Sequence, residues 1–154
     1  MIVVAVLIAS TLFSCNPSRK YEKEERALID YYIASNPAQN FVLKPSGLYY
    51  LEVVPGTGDL AVKQDTAHVK YTLKLLDGTI FDTNTDKDTY LIFPVDEGFV
   101  IKGLDEGITY MRQGGKSLML MPSSLAYGPG GWWPIPGYTP LLIEAELVIL
   151  TPGP

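Results

Sequence analysis

Residues 125–138, LAYGPGGWWPIPGY, carry four large aromatics, Tyr127, Trp132, Trp133 and Tyr138, in a stretch with no helical or strand period. Loops this apolar and this stiff are built to touch something, because free solvent rewards neither the rings nor the prolines. Tyr127 lies between Ala126 and Gly128 and so has no regular face to pack. Its hydroxyl is a fixed donor at the end of a flat apolar ring, suited to holding a carbonyl. Upstream, in TIFDTN, the aromatic Phe81 is followed at once by the carboxylate Asp82. Asp82 follows a turn, and bonding local backbone N–H groups would account for it.

What the chain lacks is as informative. The one histidine, His68, falls in AHVKYTLK, where it shares a face with Lys70 and Lys74, opposite Val69, Tyr71 and Leu73. A solvated His68 removes most Ser-His-Asp, Cys-His and histidine-metal schemes. The single cysteine, Cys15, forbids an intramolecular disulfide, so stability rests on packing. No metal site is expected. Net charge is −5 with no basic cluster in the folded part, and nucleic acid is a poor partner.

These groups need elements to place them. The chain has 154 residues, 47% hydrophobic and 19% charged, with 14 glycines and 12 prolines, enough for one turn-rich domain. Residues 1–15, MIVVAVLIASTLFSC, form an uncharged apolar run too short to span a bilayer comfortably, ending on Cys15. That pattern reads as a signal peptide, and LFSC resembles the lipobox of bacterial lipoproteins, whose cysteine is acylated. An exported chain held on the membrane by a lipid anchor follows from it, with residues 16–45 as tether and short helix. The helix is expected at about residues 20–35, with Ala27, Leu28, Tyr31, Tyr32 and Ile33 as its apolar stripe. A spacer, a surface helix or a dimer contact all suit that stripe, and the oligomeric state stays open.

Residues 46–154 read as one domain. SGLYYLEVV (46–54) is strand-like and closed by the turn cluster PGTGD. AHVKYTLKLLDGTIFD alternates and turns at Asp77-Gly78, and TYLIFPV (89–95), SLMLMP (117–122) and PLLIEAELVIL (140–150) complete the strands. In the last, Ile143, Ala145, Leu147 and Ile149 form the inward set. Residues 97–116 change period: Ile101, Leu104, Ile108 and Met111 recur at helical spacing until Gly114-Gly115. The expected fold is α+β, five or six antiparallel strands wrapped around one amphipathic helix.

The order VKYTLKLLDGTIFDTN, FPVDEGFVIKGLDEGITYMRQGGKSLMLMPSSLAYG, PLLIEAELVIL resembles the FKBP-type peptidyl-prolyl isomerases over roughly residues 47–150. Three family signatures are present: the strand and turn ending in F-D, the V-I-x-G-x-x-E-G helix entry, and the A-Y-G loop. The resemblance implies Tyr71 and Phe81 as aromatic walls, with Asp82 orienting a tyrosine or the substrate. It also implies Ile101 as a backbone donor and Tyr127 as the hydroxyl that reaches the ligand. Leu91, Phe93, Val100 and Leu104 would complete a substrate pocket, and Ile135 and Ile143 would close its far side. Proline-containing polypeptide segments would be the partners and the family's macrolide inhibitors its ligands, with no cofactor. Two departures stand out. Leu104 occupies the floor position where many members have Trp, and Trp132-Trp133 adds aromatic area at the rim.

The implied chemistry suits such residues. Rotation about an X-Pro bond crosses a barrier of about 18–20 kcal/mol through a twisted, less polar amide, with no proton moved and no covalent step. An apolar pocket favours that state over the planar, solvated amide, and fixed donors orient the chain. Bringing tens of seconds down to about milliseconds is a gain on the order of 10⁴, or about 5–6 kcal/mol. A binding or chaperone module that grips such segments without turning them over, and a sugar-stacking role for the Trp pair, are the competing readings.

Overall fold

The computed structural model describes residues 17–154. The chain runs α1 (Pro17–Ser35), β1 (Val42–Leu43), β2 (Tyr49–Val54), β3 (Thr66–Leu75), β4 (Ile80–Thr83), β5 (Leu91–Pro94), α2 (Lys102–Ile108), β6 (Lys116–Met121), a 3₁₀ turn (Ser123–Leu125) and β7 (Leu141–Thr151). All strand pairings are antiparallel, in the order β1-β2-β6-β7-β3-β4, with β5 also paired to β3. The expected α+β architecture is present, and the two-residue β1 raises the count to seven strands.

One face of the sheet closes over α2. Leu104, Ile108 and Met111 meet Val69, Leu73, Met119, Met121, Ile143 and Leu147 in the main core. The helix comes close because two glycines face the sheet: an ideal Cβ on Gly103 would lie 2.5 Å from Met121 Sδ, and one on Gly107 2.3 Å from Met119 Sδ. Its helical part is only Lys102–Ile108, much shorter than the period over 97–116 suggested. Asp105 explains the late start: its buried carboxylate accepts the Asp96 and Gly98 N–H groups at 2.8 Å each and holds residues 96–98 as a turn. Met111 keeps the apolar spacing by way of a reverse turn, its N–H donating to the Ile108 carbonyl.

The other face is covered by α1, which packs Ile29 with Tyr49, Leu120 and Leu142. The stripe differs from the expected one. Ala27, Leu28 and Tyr31 face solvent, and the inward residues are Glu25 and Ile29, with Tyr32 and Ile33 half-buried beside them. A second correction concerns Ile149, which is 39% exposed rather than inward. The β3–β7 register shifts between His68 and Val69, reversing the alternation, so that Leu150 takes the core side. Cys15 and the apolar leader lie outside the described residues.

Candidate functional site

Between β3, β4, β5 and the start of α2 lies a cavity of about 430 Å³ lined by Tyr71, Leu73, Asp82, Leu91, Phe99, Val100, Ile101, Leu104 and Tyr127. The topology brings these together. Strand β3 pairs with β5 through Val69 and with β4 from Thr72 onward, so it changes partner at residues 70–71. The buried Asn84 amide fills the gap, accepting the Tyr71 N–H at 2.8 Å and donating to the Val69 carbonyl at 3.1 Å. Tyr71 is thereby fixed on the concave side at the point where the sheet opens.

The Tyr71 hydroxyl donates to the Asp82 carboxylate. Burial, and after it the hydrogen bond and charge of Asp82, hold the Tyr71 phenol well above its ordinary pKa of 10.0. The Tyr127 phenol is raised too, by burial first and then by the Asp82 charge. Both remain protonated donors at neutral pH. Ile101 starts α2: its carbonyl accepts the Leu104 and Asp105 N–H groups at 3.0 and 3.1 Å, while its own N–H takes no backbone partner among the described residues. With Leu104 as floor and Val100 and Leu91 as walls, the site is an apolar cup with a few polar groups, a form suited to holding an apolar segment by its carbonyls.

The loop from 126 to 138 supplies one rim. Gly128 takes φ +69°, and the Tyr138 N–H donates to its carbonyl at 3.1 Å, closing the loop at its base. Trp132 and Ile135 exchange backbone hydrogen bonds around Trp133-Pro134, which puts Trp133 at the tip, 92% exposed. Trp132 is folded back. Its ring stacks on Tyr127, with centroids 5.4 Å apart and planes at 22°, and meets Phe81 edge-on at 6.4 Å.

Of the residues singled out in the sequence, Tyr71, Asp82, Leu91, Val100, Ile101, Leu104 and Tyr127 line the cavity. Phe93, Ile135 and Ile143 are buried in the core and do not line the cavity, and Phe81 is half-buried against that core beside Trp132. His68 sits half-buried on the outer face of β3, edge-on to Tyr90 at 5.8 Å. The sequence marks Leu73 only as inward-facing on its strand and does not mark Phe99, Asn84 or Asp105 as parts of the site. Phe99, 73% exposed, falls within the helical period read over 97–116, which hid that its segment is irregular. The two buried polar residues carry no sequence signal. Among the described residues no group of three or more His, Cys, Asp or Glu side chains could hold a metal ion.

Comparison with known proteins places this geometry. The family model described as FKBP-type peptidyl-prolyl cis-trans isomerase matches residues 58–148. The "Photosynthetic NDH subunit of lumenal location 4, chloroplastic" of Arabidopsis thaliana is 33% identical over 95% of this chain and 71% of its own length. The "Outer membrane protein MIP" of Legionella longbeachae is 36% identical over 71% of this chain, which spans only 47% of that relative. The crystal structure of FkpA from Escherichia coli superposes with a TM-score of 0.75 at 31% identity, covering 89% of this chain and 65% of that one.

Proposed function

The chain belongs to the FKBP-type peptidyl-prolyl cis-trans isomerases, a family of enzymes, and from that premise we propose that it accelerates X-Pro rotation in polypeptides outside the cytoplasm. The observation that carries the reading is the convergence of two protonated phenols, Tyr71 and Tyr127, on one apolar cavity beside Asp82. The proline enters over Leu104, between Tyr71, Leu91 and Val100. Carbonyls of the same segment accept from the Tyr127 hydroxyl and the Ile101 N–H, which holds the chain in a turn. Asp82 anchors Tyr71 and does no acid or base work, because the reaction transfers no proton. The twisted amide, less polar than the planar one, gains from an environment that excludes water.

Trp132, stacked on Tyr127, supplies at the rim the aromatic area that Leu104 does not supply at the floor. Phe93, Ile135 and Ile143 act as core residues, and Trp133 offers a solvent-exposed contact for residues flanking the proline. The family's macrolide inhibitors would occupy the same cavity. Export followed by acylation at Cys15 fits the LFSC segment and the relatives named for the chloroplast lumen and an outer membrane.

The test is acceleration of X-Pro isomerisation in a tetrapeptide and of a proline-limited refolding reaction. Tyr127→Phe removes one hydrogen bond and is expected to lower kcat/KM about three- to tenfold. Phe81→Ala, which removes the ring supporting Trp132, should lower it further. Unchanged rates in both variants overturn the assignment. The competing reading, a module that binds prolyl segments without turning them over, draws on the aliphatic floor. It predicts measurable peptide affinity in the wild type with no acceleration.

A further inference from the structure

Helix α1 lies on the face of the sheet opposite the cavity, yet it touches the loop that builds the rim at both ends. The loop between β6 and β7 begins at Ser123, and Glu25 of α1 reaches it: the Ser123 N–H donates to one carboxylate oxygen and the Ser123 hydroxyl to the other, the latter at 3.1 Å. Both residues are buried. Near the loop's far end Tyr138 stacks on Tyr21 of α1, with ring centroids 5.2 Å apart and planes at 18°. Tyr21, Glu25 and Ile29 are spaced four apart, so they form one stripe on one helix. Ile29 seats that stripe on Tyr49, Leu120 and Leu142. Between the two tied ends lie Tyr127 and Trp132.

The Ser123 carbonyl accepts the Ala126 N–H at 2.8 Å and the Gly128 N–H at 2.7 Å, so the position of Ser123 sets the backbone on both sides of Tyr127. Tyr138 donates its N–H to the Gly128 carbonyl, which joins the far end to the same point. We propose that α1 is a positioning element of the site, with Glu25 acting through Ser123 and Tyr21 through Tyr138 to hold the Tyr127 hydroxyl and the Trp132 ring over the cavity. Neither residue touches the cavity lining. The proposal rests on the isomerase reading for its kinetic consequence and on geometry alone for its structural one.

A displacement of about 1 Å in a catalytic group can cost up to 10²-fold in rate. In the full chain, Glu25→Ala is therefore expected to lower kcat/KM about tenfold, with Glu25→Gln recovering part of the loss because an amide oxygen can still accept one of the two bonds. Tyr21→Ala should cost about threefold, and Tyr21→Phe, which keeps the stack, should restore the wild-type value. Both tryptophans of the chain lie in this loop, and since Trp133 is already 92% exposed, quenching is read in a Trp133→Phe background, where Trp132, 60% exposed and stacked on Tyr127, reports the loop. Acrylamide quenching should rise in both alanine variants and not in Tyr21→Phe, with helix content unchanged by circular dichroism. Should Glu25→Ala fail to fold, Tyr21→Ala decides the matter, since Tyr21 is 48% exposed and its loss leaves Ile29 in place. Unchanged quenching in the alanine variants overturns the proposal, and so does altered quenching with unaltered kcat/KM in an active enzyme. If the wild-type chain shows no isomerase activity, the functional reading falls, and quenching alone then decides whether α1 holds the loop.

Discussion

Asp82 accepts the hydrogen bond of the Tyr71 hydroxyl and adds its charge to the surroundings of Tyr127, so one exposed carboxylate acts on two phenols. Burial is the larger cause in both, and burial and charge act in the same direction, against the phenolate. The consequence for pH follows by linkage. A tyrosine whose folded pKa lies above its unfolded value of about 10 contributes stability that is fully present below pH 10. That contribution is lost as pH rises through the raised folded value. Tyr50 is shifted the same way by burial, and Tyr110 is pushed up to about 12 by burial and by its hydrogen bond to Glu106. Thermal melts should therefore show these groups neutral in effect between pH 6 and 9, with stability falling above pH 10. Isomerase rates should be flat over the lower range. Tyr127 was legible in the sequence because it had no face to pack, whereas alternation placed Tyr71 only on an inward face and the family resemblance alone made it a wall of the site. Asn84 and Asp105 were not legible, since a buried amide or carboxylate is recognised by the backbone groups it satisfies, and those come from elsewhere in the chain.

At the scale of elements, α2 and the sheet are matched through absent side chains. Gly103 and Gly107 lie one turn apart on the face that meets β6, and Met119 and Met121 occupy the room a Cβ would need. Gly107→Val would overfill that contact, and packed cores resist added methyl groups at about 1–3 kcal/mol. Denaturant melts of this variant should show a loss of that size, accompanied by weaker substrate binding because Leu104 and Ile101 ride on the same helix. A stability equal to wild type would mean that the methionines repack without cost. The helical period over 97–116 was visible in the residues, but its start was not. Asp105 pulls residues 96–98 into a turn by reaching back along the chain, an effect that periodicity cannot register. The phase error at Ile149 has a similar origin, since a bulge is a relation between two strands.

The molecule as a whole is a sheet with a helix on each face, a small core around Ile29 on one side and the main core on the other. A single residue, Asn16, separates Cys15 from the first residue of α1, so a chain acylated at that cysteine would be held to a lipid surface next to the helix that also reaches the rim of the site. Growth of an expressing bacterium with labelled palmitate should place label on the wild-type chain and none on Cys15→Ser, while the variant keeps its isomerase activity. Label on both chains, or on neither, would refute acylation at this position.

The sequence by itself determined the kind of fold and most of the cavity lining. Strand alternation, turn residues and three short motifs depend on neighbours close in the chain, and Tyr71, Asp82, Val100, Ile101, Leu104 and Tyr127 all fall within them. Only the tertiary structure decided that Phe93, Ile135 and Ile143 are buried in the core, that Trp132, 60% exposed, stacks on Tyr127 while Trp133 stands in solvent, and that α1 packs on the sheet through Ile29 with Glu25 set against Ser123. The reason is physical. Which side of an irregular loop faces inward, and which stripe of a weakly amphipathic helix is buried, depend on the surface each meets, and that surface is assembled from residues as far apart as Glu25 and Ser123.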